Sequence, residues 1–422
     1  MSVRLLSPIL RGLVEENELS FRTLDDVDVK DKTVIVRVDL NSPLDPKTLK
    51  IIDDSRIRLH SGTINEIADK GGRVVVLAHQ GRKGDEDFTD LSQHAEAMKK
   101  YMKHPLRFVK DVIGPEAVGA IRSLQGGRVL LLDNVRSLDE ETKELSPQEH
   151  AKGKLVSTLS PLANLFVNDA FAAAHRSHAS IVGFTVTLPS VAGRVMEREL
   201  NALKRVYEEP EKPSVYVFGG AKPKETFVVV GHVLDKEIAD RVLVGGMVST
   251  VLAYVSGQDV GEKNVQEIKG KGFEKMFPTA KAIMEKYPDK IVIPVDVAID
   301  VNGKRKEVKK EDFPPSSEIR DIGSGTIRLF SEFAKDARSL VINGPLGLFE
   351  DEKFATGTVE FIRSLSKSKA YSVMGGGHSV AALEQYGIAD CISYISTGGG
   401  AMISYLSGER LPGVEALKAA AK

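Results

Sequence analysis

Ten short, apolar, β-rich runs recur along the whole chain, and most of them lack the in–out alternation of a half-buried strand. They read TVIVRV (Thr33 to Val38), VVVLA (Val74 to Ala78), VLLL (Val129 to Leu132), LFV (Leu165 to Val167) and SVYVF (Ser214 to Phe218), then VLV (Val242 to Val244), IVIPV (Ile291 to Val295), LVI (Leu340 to Ile342), SVM (Ser372 to Met374) and ISYI (Ile392 to Ile395). Continuous apolar strands are what a sheet covered on both faces requires. Long, charged, helix-prone stretches separate them, which predicts βα repeats and parallel sheets, an α/β fold. Buried helix segments could imitate one such run, but hardly all of them.

Ten or more strands in a single sheet are unusual. The 422 residues also suggest two or three domains at about 150 residues each. The best boundary lies near 190–213. Met196, Leu200, Leu203 and Tyr207 form an apolar stripe on one helix face, opposite Glu197, Arg198, Lys204 and Arg205. EEPEKP (Glu208 to Pro213) then breaks the helix before the next strand. The expected layout is a first domain over 1–190, an interdomain helix over 191–208 and a second domain over 209–402. The alternative is a surface helix within one large sheet.

Composition narrows the function classes. Lys and Arg number 58 against 59 Asp and Glu, a net charge of −1, which argues against a globally basic nucleic-acid binder. The single cysteine, Cys391, excludes an internal disulfide and any multi-cysteine zinc site; opening an apolar strand, it reads as an inert core residue. No apolar run approaches the ~18 residues of a membrane span. The apolar start is broken by Pro8 and Arg11 and followed by Glu15, Glu16 and Glu18, unlike a transit peptide. A cytoplasmic protein with no nucleic-acid or membrane partner is expected.

In open parallel sheets, ligands bind beyond the carboxyl ends of the strands. In the first half those positions hold Asp39 and Asn41, His79, Gly81 and Arg82, Asn134 and Arg136, and Asn168, Asp169, His175, Arg176 and His178; Arg56 and Arg58 follow the first strand. Cations and amides converging from four strand ends suit a small, multiply charged anion, since the guanidinium fork fits phosphate and carboxylate. The competing reading is that Arg136 and Arg176 pair with Asp133 and Asp169. His175 and His178 could ligate a metal, but no third ligand is evident.

In the second half the strand ends carry glycine: Gly219-Gly220-Ala221-Lys222, Gly245-Gly246-Met247, Asn343-Gly344-Pro345-Leu346-Gly347, Gly375-Gly376-Gly377-His378-Ser379 and Thr397-Gly398-Gly399-Gly400. Glycine lets backbone N–H groups approach a phosphate, and a helix N-terminus adds a favourable dipole. Neither G-x-x-x-x-G-K-[ST] nor a complete G-x-G-x-x-G is present, which counts against a P-loop ATPase and a dinucleotide dehydrogenase. One half reads as an anion binder and the other as a nucleotide binder. Phosphoryl transfer between them needs positioning and charge stabilisation, with water excluded by two closing domains.

The motifs, in their order along nearly the whole chain, resemble the phosphoglycerate kinase family: RVDLNSP, SRIR, AHQGR, LLDNVR and VNDAFAAAHRSH, then FGGAK, VGGM, PVD, NGPLGLFE, GGGHS, STGGGA and LPGVEAL. The resemblance implies two Rossmann-like domains joined by a helix and hinge, with a C-terminal tail, about 403–422, returning to the first. It implies reversible transfer between ATP and the carboxylate of 3-phosphoglycerate, giving ADP and 1,3-bisphosphoglycerate, with Mg2+ carried on the nucleotide and no protein-made metal site. By motif, Asp39, Leu40 and Asn41 would hold the glycerate, and His79, Gln80, Gly81, Arg82, Arg136 and Arg176 would surround its phosphate. Arg56, Lys222, Gly377 and Gly399 would act on the transferring group. Gly219, Gly220, Lys222, Gly245, Gly246, Asn343, Pro345, Glu350, Gly376, Gly377, His378 and Ser379 would hold the nucleotide, Glu350 at the ribose. A monomer is expected, with a dimer as the alternative.

Three departures from the family pattern stand out. Where many members carry a second lysine, four residues after Lys222, this chain has Thr226, with Lys224 nearby. The familiar GGGDT reads GGGHS, placing His378 where an aspartate helps hold the metal-bound phosphates; this form resembles the archaeal branch. About 20 residues precede the usual start of the fold near Leu24. The competing functions are another acyl-phosphate-forming carboxylate kinase, a dehydrogenase, or a non-catalytic phosphometabolite-binding protein of the same fold.

Overall fold

The computed structural model describes residues 21–376, 383 and 385–422. The N-terminal extension and Gly377, His378 and Ser379 lie outside them. The chain divides into two compact units, Met1–Glu197 with Pro412–Lys422, and Arg198–Leu411. The division falls inside the helix Arg194–Leu203. The helix Gly399–Leu406 belongs to the second unit, so within the expected tail only 412–422 joins the first.

The first unit is built on six parallel strands: β1 (Thr33–Arg37), β2 (Arg73–Leu77), β3 (Leu106–Val109), β4 (Val129–Leu132), β5 (Leu165–Asn168) and β6 (Ser190–Ala192), in the order β3-β4-β2-β1-β5-β6. The central strands are apolar through most of their length because both faces are covered. Val34, Val36, Val74 and Val76 enter one core, while Ile35, Val75, Leu77 and Phe166 enter the other. Successive side chains simply point to opposite buried faces. The order reverses at β1, so the carboxyl ends of β1 and its neighbours flank a topological switch point. The C-terminal helix Pro412–Ala420 docks here, with Ala416 in a small cluster with Ala170, Ile181 and Val182, and Gly413 N–H donating to Ala174 O at 2.9 Å.

The second unit has six parallel strands, β7 (Ser214–Phe218), β8 (Arg241–Val244), β9 (Ile291–Val292), β13 (Ser339–Asn343), β14 (Tyr371–Gly375) and β15 (Tyr394–Ile395), ordered β15-β14-β13-β7-β8-β9. It also has a three-stranded antiparallel sheet, β10 (Asp296–Val301), β11 (Lys304–Lys309) and β12 (Ile319–Ile322). The run IVIPV forms a strand only over Ile291–Val292; Pro294 has no N–H to give a ladder. The strand order reverses at β7, whose carboxyl end lies beside that of β13. Cys391 is partly buried against the main core. Among the described residues no helix is long and apolar enough to cross a membrane.

Candidate active site

In the first unit the loops after β1, β2 and β4 are tied together by side chains that the sequence singles out. Asp39 accepts the N–H of Asn41 at 3.0 Å and forms an ion pair with Arg56, which enters on the helix Ser55–Asp69. Asn41 Oδ1 accepts the N–H of Gly81 at 2.8 Å, and Arg136 Nη1 donates to Gly81 O at 2.6 Å. Arg56, Asp39, Asn41, Gly81 and Arg136 therefore form one connected chain. Burial is the largest influence on Asp39 and works against its ionisation, but Arg56, the nearby His79 and His60 and the Asn41 N–H together outweigh it and hold the carboxyl well below its usual range. Burial, and then Arg37, lower Arg136 to about 10, so it remains a cation at neutral pH. Its Nε is buried and has no hydrogen-bond partner among the described residues. A donor in that state is costly unless a ligand satisfies it.

The pairing of Arg136 and Arg176 with Asp133 and Asp169 does not occur. Asp133 accepts the N–H groups of Leu91 and Asn134, and Asp169 accepts Val195 N–H at 2.7 Å and lies 2.8 Å from His60 Nδ1. Arg82 and Arg176 are exposed at the rim. Leu40 and Gln80 are wholly buried, Leu40 in the apolar core and Gln80 in hydrogen bonds to Ser42, Asp87 and His94. Their side chains serve the scaffold.

Sequence reasoning gave no role to Arg37, the largest fully buried side chain among the described residues. Its Nε donates to Ser180 Oγ at 2.8 Å, one Nη donates to Val38 O, and the other lies 3.0 Å from His79 Nδ1. Ser180 Oγ in turn donates to the buried carboxyl of Glu141 at 2.6 Å, a group that burial pushes up. Arginine offers only donors, so His79 Nδ1 is an acceptor and its hydrogen sits on Nε2. Burial, with Arg37 adding to it, lowers His79 well below the ordinary imidazole range. His79 is therefore a neutral donor at pH 7. Burial and the charges of Arg136, Arg37 and Arg176 lower His178 to about 3, and a field of that sign disfavours a cation there. Among the described residues no group of three or more His, Cys, Asp or Glu could hold a metal ion.

The second unit uses its glycines differently from the sequence expectation. The N–H groups of Gly219, Gly220, Gly245 and Gly246 donate to Asn343 O, Pro345 O, Phe218 O and Leu346 O at 2.7–2.9 Å. These amides lace the loops after β7, β8 and β13 to one another. A side chain is excluded: a Cβ on Gly219 would lie 2.0 Å from Pro345 O, and Gly246, at φ +56°, has Gly220 N 2.9 Å from where its Cβ would sit. Lys222 caps the helix Pro223–Asp235 and is exposed, as is Lys224. Thr226 is buried and donates its hydroxyl to Lys222 O at 3.0 Å. Asn343 ends β13, and Glu350 is exposed seven residues on. Gly376, at φ +119°, follows β14. Gly399 opens its helix behind Thr397, whose N–H and hydroxyl both donate to Glu199 at 2.7 Å.

Two parallel α/β units, one with a cationic cluster and one with glycine-laced loops at its strand ends, define a phosphotransferase of the two-domain α/β type. The sequence model described as phosphoglycerate kinase matches residues 24–409. The phosphoglycerate kinase of Methanothermobacter thermautotrophicus is 45% identical over 398 residues, covering 94% of this chain and 97% of that protein. That of Saccharolobus solfataricus is 43% identical, covering 95% and 97%. The crystal structure of phosphoglycerate kinase from Pyrococcus horikoshii OT3 superposes with a TM-score of 0.89 at 40% identity, covering 94% of this chain and 99% of that one. The chain belongs to the phosphoglycerate kinase family, and its activity is that of an ATP:3-phosphoglycerate 1-phosphotransferase. The similarity to archaeal members agrees with the GGGHS form. The comparisons support this activity and neither the other carboxylate kinase nor the non-catalytic protein.

Proposed function

We propose that the first unit binds 3-phosphoglycerate through Asp39, Asn41, His79, Arg82, Arg136 and Arg176, and that the second binds ATP or ADP around Lys222, Asn343, Pro345, Glu350 and the loop from Gly376. The observation that carries this is the buried, unpartnered Nε of Arg136 beside the Arg56–Asp39 pair. The attacking carboxylate of 3-phosphoglycerate, with an ordinary pKa near ~4, is ionised at neutral pH and needs no general base. The cluster offers none: His79 is a neutral donor and Asp39 is tied to Arg56. What remains is charge stabilisation on the transferring phosphoryl oxygens, which falls to Arg56 and Lys222.

Mg2+ is commonly held by substrate phosphates, waters and one or two carboxylates, and a magnesium ion would arrive here on the nucleotide. When bound, the ion would neutralise charge on the nucleotide phosphates. We place the enzyme in the cytoplasm as a monomer. Calorimetric titration of 3-phosphoglycerate and of Mg-ATP into wild type and Arg136→Ala tests the assignment; equal weakening of both ligands would remove it.

A further inference from the structure

The 3-phosphoglycerate loops are cross-tied by a buried amide, and that amide is bonded in turn by a buried histidine. Gln80 is inaccessible to solvent and bonds at every polar atom of its side chain. Its Oε1 accepts Ser42 N–H at 2.9 Å, and its Nε2 donates to Ser42 O at 3.1 Å and to Asp87 O at 3.3 Å. The second acceptor position on Oε1 faces His94 Nε2 at 3.0 Å. The backbone around Gln80 is fixed as well: Asn134 Nδ2 donates to Gln80 O at 2.7 Å and to Thr89 O at 2.8 Å. Asn134 Oδ1 accepts the N–H of Arg136, whose guanidinium holds Gly81 O.

The protonation of the pair follows from these bonds. Ser42 N–H needs an acceptor and Ser42 O a donor, so the Gln80 amide has one orientation. Its Oε1 can only accept, so His94 donates from Nε2, and Nδ1 is its bare lone pair. That matches the absence of any partner for His94 Nδ1 among the described residues. Burial, opposed only by the nearby Asp90 charge, lowers His94 to about 4, so the ring is neutral at pH 7. It has no exposed surface and cannot touch a ligand.

We propose that His94 is a positioning residue for 3-phosphoglycerate, acting through Gln80 on the Asn41, Gly81 and Arg136 loops. With the His94 donor present, the amide is satisfied and the loops after β1, β2 and β4 keep one arrangement. Without it, a buried carbonyl lone pair is left unpaired, and the amide and its loops can relax toward other bonds.

The inference rests on the first unit being the 3-phosphoglycerate site, and the test separates the two. His94→Phe keeps a ring and removes the donor; His94→Gln supplies a donor in its place. His94→Phe should raise KM for 3-phosphoglycerate by about 3–10-fold with KM for Mg-ATP and kcat unchanged, and His94→Gln should recover most of the loss. A lowered Tm with unchanged KM for 3-phosphoglycerate would mean His94 only packs, and would overturn the proposal. Arg136→Ala, run alongside, must weaken 3-phosphoglycerate binding; if it does not, the site assignment itself fails. Should His94→Phe not fold, His94→Leu makes the same comparison, removing the donor with a smaller apolar side chain while leaving Gln80 and its bonds to Ser42 and Asp87 in place. Nitrogen-15 NMR of the wild-type protein gives an independent readout. A neutral Nε2–H tautomer for His94 supports the proposal, and an Nδ1–H tautomer removes it.

Discussion

Arg56 and Asp39 are held together in a partly buried ion pair, with Arg56 on the helix that follows the first strand and Asp39 on the loop before it. The pair fixes a cation that would otherwise sample many rotamers. Arg56→Ala should lower kcat by ~10²–10⁴, the scale of losing an oriented charge contact in the transition state. KM for Mg-ATP should hardly move. Near-normal turnover in steady-state assays would end the catalytic assignment. Asp39→Asn should also reduce kcat, because it removes the negative charge paired with Arg56 and weakens a glycerate contact.

Arg136 has one guanidinium nitrogen on Gly81 O and another buried without a partner among the described residues. Arg136→Ala should weaken 3-phosphoglycerate binding by about 1.5–3 kcal/mol, the size of one charge-assisted contact. Arg176 is exposed, so Arg176→Ala should fall at the lower end of that range. Calorimetry with 3-phosphoglycerate and with ADP checks both; nucleotide affinity should be unchanged.

The parallel strands were legible because burial on both faces leaves long apolar runs. Two of the missed elements break that rule for physical reasons. Leu106–Val109 is an edge strand with Arg107 exposed, and KRKEVK forms β11 with only Val308 buried. Arg37 lies inside a strand, whereas the site residues legible in the sequence follow the strands. The signal was there: a charge within TVIVRV must be paired wherever the strand is covered on both faces. The glycine clusters were found, but their main use was not legible. Whether a glycine N–H faces a phosphate or a neighbouring carbonyl depends on loops far apart in sequence, such as Gly219 against Asn343. Glu141, Ser180 and His94 carry no motif and become visible only as partners.

Thr226 is buried, and its hydroxyl bonds back to Lys222 O. The position faces the packed side of the helix and does not vacate a phosphate contact for Lys224 to inherit. Lys222→Ala should therefore be nearly inactive, losing roughly 10²–10³ in kcat, while Lys224→Ala should be mild. Thr226→Lys should lower Tm, because a buried ammonium without a partner costs several kcal/mol, order of magnitude, and should add no activity. A Lys224→Ala variant more damaged than Lys222→Ala would exchange the two roles.

Asp321, at the end region of β12, is buried against the loop that runs from β13 toward Glu350. It accepts Gly357 N–H at 2.7 Å and Ile322 N–H at 2.9 Å, and Arg305, itself paired with Glu307, lies 3.5 Å away. Burial is the main influence and raises its carboxyl to about 7 from an ordinary value of 3.8. Between those two values the folded protein keeps a proton that the unfolded chain has released. Stability should therefore fall as pH rises through that window and level off above about pH 7. Asp321→Asn removes the titration but keeps one acceptor oxygen. Other buried acids raised in the same way, Glu141 and Glu199, are common to both proteins and cancel in the difference. Thermal unfolding across about pH 5 to 8 should show the Asn variant gaining on wild type as pH rises. Parallel curves would mean that Asp321 is ionised throughout and that Arg305 and the two N–H donors outweigh its burial.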